Sequence, residues 1–208
     1  NTHELAKGRA TWDAWGSLQV TDWARVHART GSGFREPSLF ELDGRILSSF
    51  GVFPLGNPGL SPERSFGWDA GGEVTLGPLK AGSTYFFLET GNRIDLVWPA
   101  FSNVEGSNAT HGIESFIEAE PFEGIKARIS NTYVGGERIA DQPAHQWGGS
   151  VEAKSGPLRG GLGVSWIGGH TVAAFDTGSF KVTRVAEDDF LVASAIVSYE
   201  VRKGFNVY

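Results

Sequence analysis

Phe175-Asp176-Thr177-Gly178-Ser179 contains the Asp-Thr-Gly triplet that presents a catalytic aspartate in aspartic proteases. That chemistry needs two aspartates sharing one proton. No second Asp-Thr-Gly or Asp-Ser-Gly occurs in the chain. Asp and Gly are also ordinary turn formers, so the triplet reads as a surface loop. The five histidines, His3, His27, His111, His145 and His170, include no i, i+2 or i, i+4 pair of the kind that ligates zinc, and there is no cysteine. Gly160-Gly161-Leu162-Gly163 lacks the Lys-Ser/Thr that a phosphate loop needs. Catalysis is not expected, and neither is a cofactor or a resident metal. Arg25, Arg29, Lys126, Arg128, Glu114, Glu118 and Glu152 recur on alternate positions with both signs of charge. Such a set suits a hydrated wall better than a specific ligand site. The net charge of −6 argues against a nucleic-acid partner, which favours basic chains.

The elements that carry these residues show period two, the spacing of strands with two different faces. Ala10, Trp12, Ala14, Gly16, Leu18 and Val20 alternate with Thr11, Asp13, Trp15, Ser17 and Gln19. Similar runs cover 24–33, 66–76, 82–90, 111–119, 125–133, 147–154, 158–166 and 190–201, and Phe205 begins another. The pattern predicts an all-β chain of about ten antiparallel, up-and-down strands, with no helical period able to compete. Connections alternate in length. Those at Thr21, Gly77, Pro121, Ser155 and Arg202 are tight, whereas 35–62, 90–102, 134–145 and 170–187 read as long loops. Short turns at one end and long loops at the other are the habit of transmembrane barrels. No apolar run is long enough for a spanning helix, which does not bear on a barrel.

Two segments sharpen this reading. Gly31, Gly33, Phe34, Arg35, Pro37, Ser38 and Leu39 close one strand, and Gly56, Asn57, Pro58, Leu60, Pro62 and Glu63 open the next. In this order they resemble a landmark of TonB-dependent outer-membrane receptors. Asn103-Val104-Glu105-Gly106 followed by His111-Gly112-Ile113-Glu114, and Pro143-Ala144-His145-Gln146-Trp147, are similar to later strand entries of the same family. The resemblance implies a transmembrane β-barrel, with this chain as the C-terminal part of a barrel of about 22 strands. The plug domain, the early strands and the closing strand are then expected to lie outside residues 1–208. It also implies an outer-membrane receptor, a monomer at full length, that takes up an iron–siderophore or cobalamin-like chelate. TonB would engage it through the plug. The residues expected to face a ligand are Arg35, Glu36, Phe53, Arg93, Trp98, Arg138, His145 and His170 in the long loops.

The same alternation also suits a soluble β-sandwich, such as a carbohydrate-binding module with exposed tryptophans. In a sandwich the apolar face packs inward; in a barrel it meets lipid and the polar face lines the interior. The abundant Ala and Gly on the apolar faces favour the barrel, since a dry core needs bulk. So do Trp12, Trp23, Trp98, Trp147 and Trp166 near strand ends, where an interfacial aromatic belt would place them.

Overall fold

The computed structural model describes residues 10–49, 51–137, 142–176, 181–202 and 204–208. Its strands are β1 (Asp13–Thr21), β2 (Ala24–Arg35), β3 (Arg45–Ser48), β4 (Gly51–Pro54), β5 (Glu63–Leu76), β6 (Leu79–Gly91), β7 (Ile94–Val97), β8 (Ala100–Asn103), β9 (Ser107–Phe122), β10 (Ile125–Gly136), β11 (His145–Ser155), β12 (Leu158–Gly168), β13 (Thr171–Asp176), β14 (Lys181–Ala186), β15 (Phe190–Arg202) and β16 (Phe205–Val207). One helix of five residues, α1 (Leu39–Asp43), follows β2. Ten strands hydrogen-bond in the order β1-β2-β5-β6-β9-β10-β11-β12-β15-β16. These ten correspond to the alternating runs of the sequence, and the antiparallel, up-and-down architecture is as expected.

The loops hold more structure than periodicity suggested. β3–β4, β7–β8 and β13–β14 are separate two-stranded hairpins within segments read as irregular. Strands of four to six residues are too short for alternation to stand out, yet local pairing satisfies their backbone groups. α1 is a single turn, too brief for a 3.6-residue period. Its signal is a capping box, in which Ser38 accepts from the Glu41 amide and the Glu41 carboxylate accepts from the Ser38 amide. Pro121, expected in a turn, lies within β9, and the turn itself is Glu123–Gly124. Gly77 and Gly156 adopt φ of +58° and +57° immediately before a proline. Glycine with positive φ at the first central position is what a type II′ hairpin turn requires.

The chain divides into two compact units. The first comprises Asn1–Gly16, Arg29–Asp69 and Phe87–Ala109; the second comprises Ser17–Ala28, Ala70–Phe86 and Thr110–Tyr208. In the second unit, pairing aligns residues in rows. Ile117, Ile129, Gly149, Val164 and Ala193 are successive partners across β9, β10, β11, β12 and β15, and the next row is Glu118, Arg128, Ser150, Gly163 and Ser194. A one-residue slip would exchange the two faces, so the alternation itself specifies register.

The apolar row is not a core. Ile117 is 55% exposed and Ile129 58%. Buried hydrophobic side chains among the described residues are Leu55, Ile94 and Val134. A soluble sandwich would bury its apolar face against a second sheet. Here the apolar face of the large sheet stays exposed, and the remaining sheets are two-stranded. The sandwich alternative is therefore dropped.

Candidate functional site

In the first unit, the Gly31–Ser65 stretch resolves into a network centred on Arg35, at the end of β2. Its guanidinium donates to both carboxylate oxygens of Glu41 at 3.0 Å and to both of Glu63 at 2.8 Å. The planar fork of arginine makes such double pairing possible. Glu41 also accepts from the Ser38 amide at 2.6 Å, and Glu63 from the Ile94 amide at 2.8 Å. One cation thus holds α1, the start of β5 and the start of β7. The Arg35 guanidinium lowers the Glu41 carboxyl to a pKa of about 2, aided by the Ser38 amide and opposed by partial burial. Arg35, expected to face a ligand, is committed to these two carboxylates.

Two asparagines extend the network. Asn57 donates to the Phe101 carbonyl at 2.9 Å and accepts from the Gly59 amide at 2.9 Å. Asn103 accepts from the Ser61 amide and donates to the Ser61 and Asn92 carbonyls, each at 2.8 Å. Leu55, 1% exposed, is the apolar centre; its amide donates to the Gly44 carbonyl, and its carbonyl accepts from Phe101. Glycine is required at position 56, because a Cβ there would overlap the Asp43 backbone. The family-like landmark residues Arg35, Ser38, Gly56, Asn57, Glu63 and Asn103 are therefore loop fasteners. Glu41 was missed as their partner, although its capping-box spacing from Ser38 was visible.

Of the remaining candidates in this unit, Phe53 and Arg93 are half-buried, and Glu36 and Trp98 are exposed. Phe53 on β4 and Trp98 between β7 and β8 meet with ring centroids 5.9 Å apart, and Trp98 is 60% exposed. Phe40 packs edge-on against Phe101 at 5.8 Å. Arg93 pairs with Asp95 at 3.0 Å, and Arg45 with Asp43 at 3.6 Å. Glu36 is exposed in the β2–α1 connection. Two of the expected ligand-facing residues, Phe53 and Trp98, are thus brought together as an aromatic surface.

The second unit holds the other two described candidates. His145 begins β11 opposite Tyr133, with ring centroids 5.1 Å apart. His170 is only 9% exposed. Its Nε2 lies 3.1 Å from Glu187 Oε2, its ring meets Phe190 edge-on, and its Nδ1 has no hydrogen-bond partner. Arg138 lies outside the described residues, as does most of the Asp-Thr-Gly triplet. Asp176 closes β13 and pairs with Lys181 on β14, an ordinary hairpin position.

The alternating charges form lanes. Glu73 pairs with Arg25 at 2.6 Å and with Lys80 at 3.1 Å; Glu118 pairs with Lys126 at 3.0 Å and with Arg128 at 3.3 Å. Phe116 links them, with Arg128 4.3 Å and Lys80 5.9 Å from its ring centroid. Gly82 leaves the room, since a Cβ there would lie 2.7 Å from that ring. In the first unit Arg29 pairs with Asp13. Charges paired in this way along one face suit a hydrated wall. Among the described residues no group of three or more His, Cys, Asp or Glu could hold a metal ion.

Comparison with known proteins agrees with this geometry. Among curated proteins no sequence matches significantly. Similar solved structures include a mutant of the ferric enterobactin receptor PfeA from Pseudomonas aeruginosa, at 18% identity and TM-score 0.75, covering 94% of this chain and 33% of that one. The siderophore receptor PirA from Acinetobacter baumannii aligns at 13% identity and TM-score 0.70, covering 92% and 35%. The iron transporter FrpB from Neisseria meningitidis aligns at 14% identity and TM-score 0.67, covering 91% and 32%. The chain spans about a third of the length of these structures. At such identities the likeness is one of fold. The family model described as TonB dependent receptor-like, beta-barrel, however, matches residues 6–208 of the sequence itself. With nearly the whole chain matched and the strand order, faces and loop fasteners in place, this chain belongs to the TonB-dependent receptor β-barrel family.

Proposed function

We propose that this chain is part of an outer-membrane receptor whose apolar face meets lipid and whose long loops gather a metal chelate for TonB-coupled uptake. The family match over residues 6–208 carries this reading. The exposed apolar rows support it, because in water they would have no partner while in a bilayer they have one. The cargo proposed first is an iron–siderophore, since PfeA and PirA are siderophore receptors; a cobalamin-like chelate is the other expected class. TonB would act through a plug domain that is not in this chain, and the receptor would transport without catalysing. The Phe53–Trp98 surface offers the first contact, because aromatic faces bury large area at small entropic cost.

The test is ligand binding by the intact receptor, read from tryptophan quenching with a ferric catecholate, a ferric hydroxamate and cobalamin. Saturable binding of one iron chelate, weakened about ten-fold by combined Phe53→Ala and Trp98→Ala, is the expected result. Binding of cobalamin alone would replace the siderophore by the other class. No binding of any of the three, by a receptor with normal heat-modifiable mobility, would remove the chelate reading.

A further inference from the structure

The long loops carry no excess of positive charge. Arg35 and Arg45 share segment 35–62 with Glu36, Glu41 and Asp43, and Arg93 shares 90–102 with Asp95. In segments 134–145 and 170–187, Asp and Glu likewise equal or outnumber Lys and Arg. In the first unit the compensation is direct. Arg35 gives four hydrogen bonds to Glu41 and Glu63, Arg93 lies 3.0 Å from Asp95, and Arg45 lies 3.6 Å from Asp43. A surface that gathers a polyanion presents cations in excess, because complementary potential steers and selects charged ligands. Here an anion would meet the carboxylates that already hold the guanidinium groups.

What these loops do present is apolar. Ile46 lies opposite Phe53 on the β3–β4 hairpin, so the two share a face, and the Phe53 ring continues that face to Trp98. On the β7–β8 hairpin Leu96 lies opposite Phe101, which meets Phe40. Phe40, Ile46, Leu96 and Trp98 are all exposed. Exposed apolar side chains gathered in this way mark a binding surface. Such a surface takes up apolar groups readily. It offers nothing to offset the lost hydration of a charge, and burying a charge without a partner is costly.

We propose, resting on the chelate reading above, that this surface selects an uncharged iron chelate with apolar groups on its outside over a polyanionic one. Three hydroxamates neutralise Fe(III), whereas three catecholates leave the complex a trianion. The neutral complex can press its apolar groups on the rings around Trp98 with little loss of hydration. The test is equilibrium binding of radiolabelled iron by the intact receptor in detergent, at low and at physiological salt. The probes are a neutral ferric trihydroxamate, the same trihydroxamate carrying pendant carboxylates, and a ferric tris-catecholate. The carboxylated form separates the effect of charge from that of the donor groups. The neutral complex should bind about ten-fold more tightly than the carboxylated one, a difference of about 1.4 kcal/mol. Added salt should narrow that gap by screening the anion from the loop carboxylates. Ile46→Ser should weaken the neutral complex about three-fold. Asp95→Asn keeps an acceptor for the Leu96 amide but releases Arg93 from its ion pair. It should tighten both anions about three-fold and the neutral complex less. Equal affinity for the neutral and carboxylated forms would overturn the proposal, as would tighter binding of the catecholate. So would an Asp95→Asn receptor in which all three probes shift alike. Failure of all three to bind, by a receptor of normal heat-modifiable mobility, would instead sink the chelate reading beneath it.

Discussion

In the second unit, β9 to β12 are tied by long backbone ladders, and their side chains fall into rows in which each residue has a neighbour of its own kind. In the first unit, the chain between β2 and β5 is tied by single side chains reaching carboxylates and backbone groups: Arg35, Asn57, Asn103 and Glu63. The ladder region tolerates many residues at each place provided the face is right. The loop region depends on individual residues, each of which holds a group that would otherwise go unsatisfied. A substitution in the first kind of structure is judged by which side it faces; in the second, by what it lets go.

The largest expected effect tests the face rule. Ile129→Arg, on the exposed apolar row, should cost about 2–4 kcal/mol in a bilayer if that row meets lipid. Arg128→Leu, one residue away on the polar row, should cost about 1 kcal/mol or less, because Glu118 keeps Lys126. Denaturant titration of the receptor refolded into vesicles measures both. Equal costs would break the distinction between faces.

Next comes the loop base. Arg35→Met strands Glu41 and Glu63 together and should cost about 1–2 kcal/mol locally, less than for a buried pair because the guanidinium is half-exposed. Hydrogen exchange should quicken at Ser38, Asn57 and Ile94 while β10 to β12 stay protected. Arg35→Lys should fall between, since an ammonium cannot fork across two carboxylates. Quickening that spread into β10 to β12 would show that the two regions do not differ as described. Asn103→Ala should be milder, about 0.5–1.5 kcal/mol, and confined to the amides around Ser61.

The smallest effect is acid sensitivity. The Glu41 carboxyl is lowered from 4.5 to about 2, so it binds protons more readily in the unfolded chain. Its contribution is complete above about pH 4.5 and is lost as pH falls toward about pH 2. Exchange protection at Asn57, corrected for the intrinsic rate, should decline through that window. An unchanged profile in the parent, or an equal decline in Glu41→Gln, would remove Glu41 as its source.

Legibility in the sequence followed the same division. Trp12, Leu18, Ile117 and Ile129 could be assigned to one face by counting, and all are exposed on the apolar side. Phe53 and Trp98 could be named as loop aromatics, but nothing in their spacing said that they touch. Arg35 was conspicuous as a cation in a family-like segment, and its type suggested a ligand; its pairing with Glu41 and Glu63 suggests a fastener. His170 was expected to face a ligand from its long loop and is nearly enclosed, because Glu187 and Phe190 meet it from beyond the β13–β14 hairpin.

By itself the sequence determined the ten strands, their two faces, the asymmetry of turns and loops, and the family. Those features repeat every two residues or lie within one short segment, so strand geometry alone exposes them. The tertiary structure decided which loop groups meet. Arg35 and Glu63 are 28 residues apart, and Glu63 and Ile94 are 31. Over such separations local preference carries no information about the partner. Only the paired strands, by bringing their loop ends side by side, turn a list of charged and polar residues into a fastened base beneath an aromatic surface.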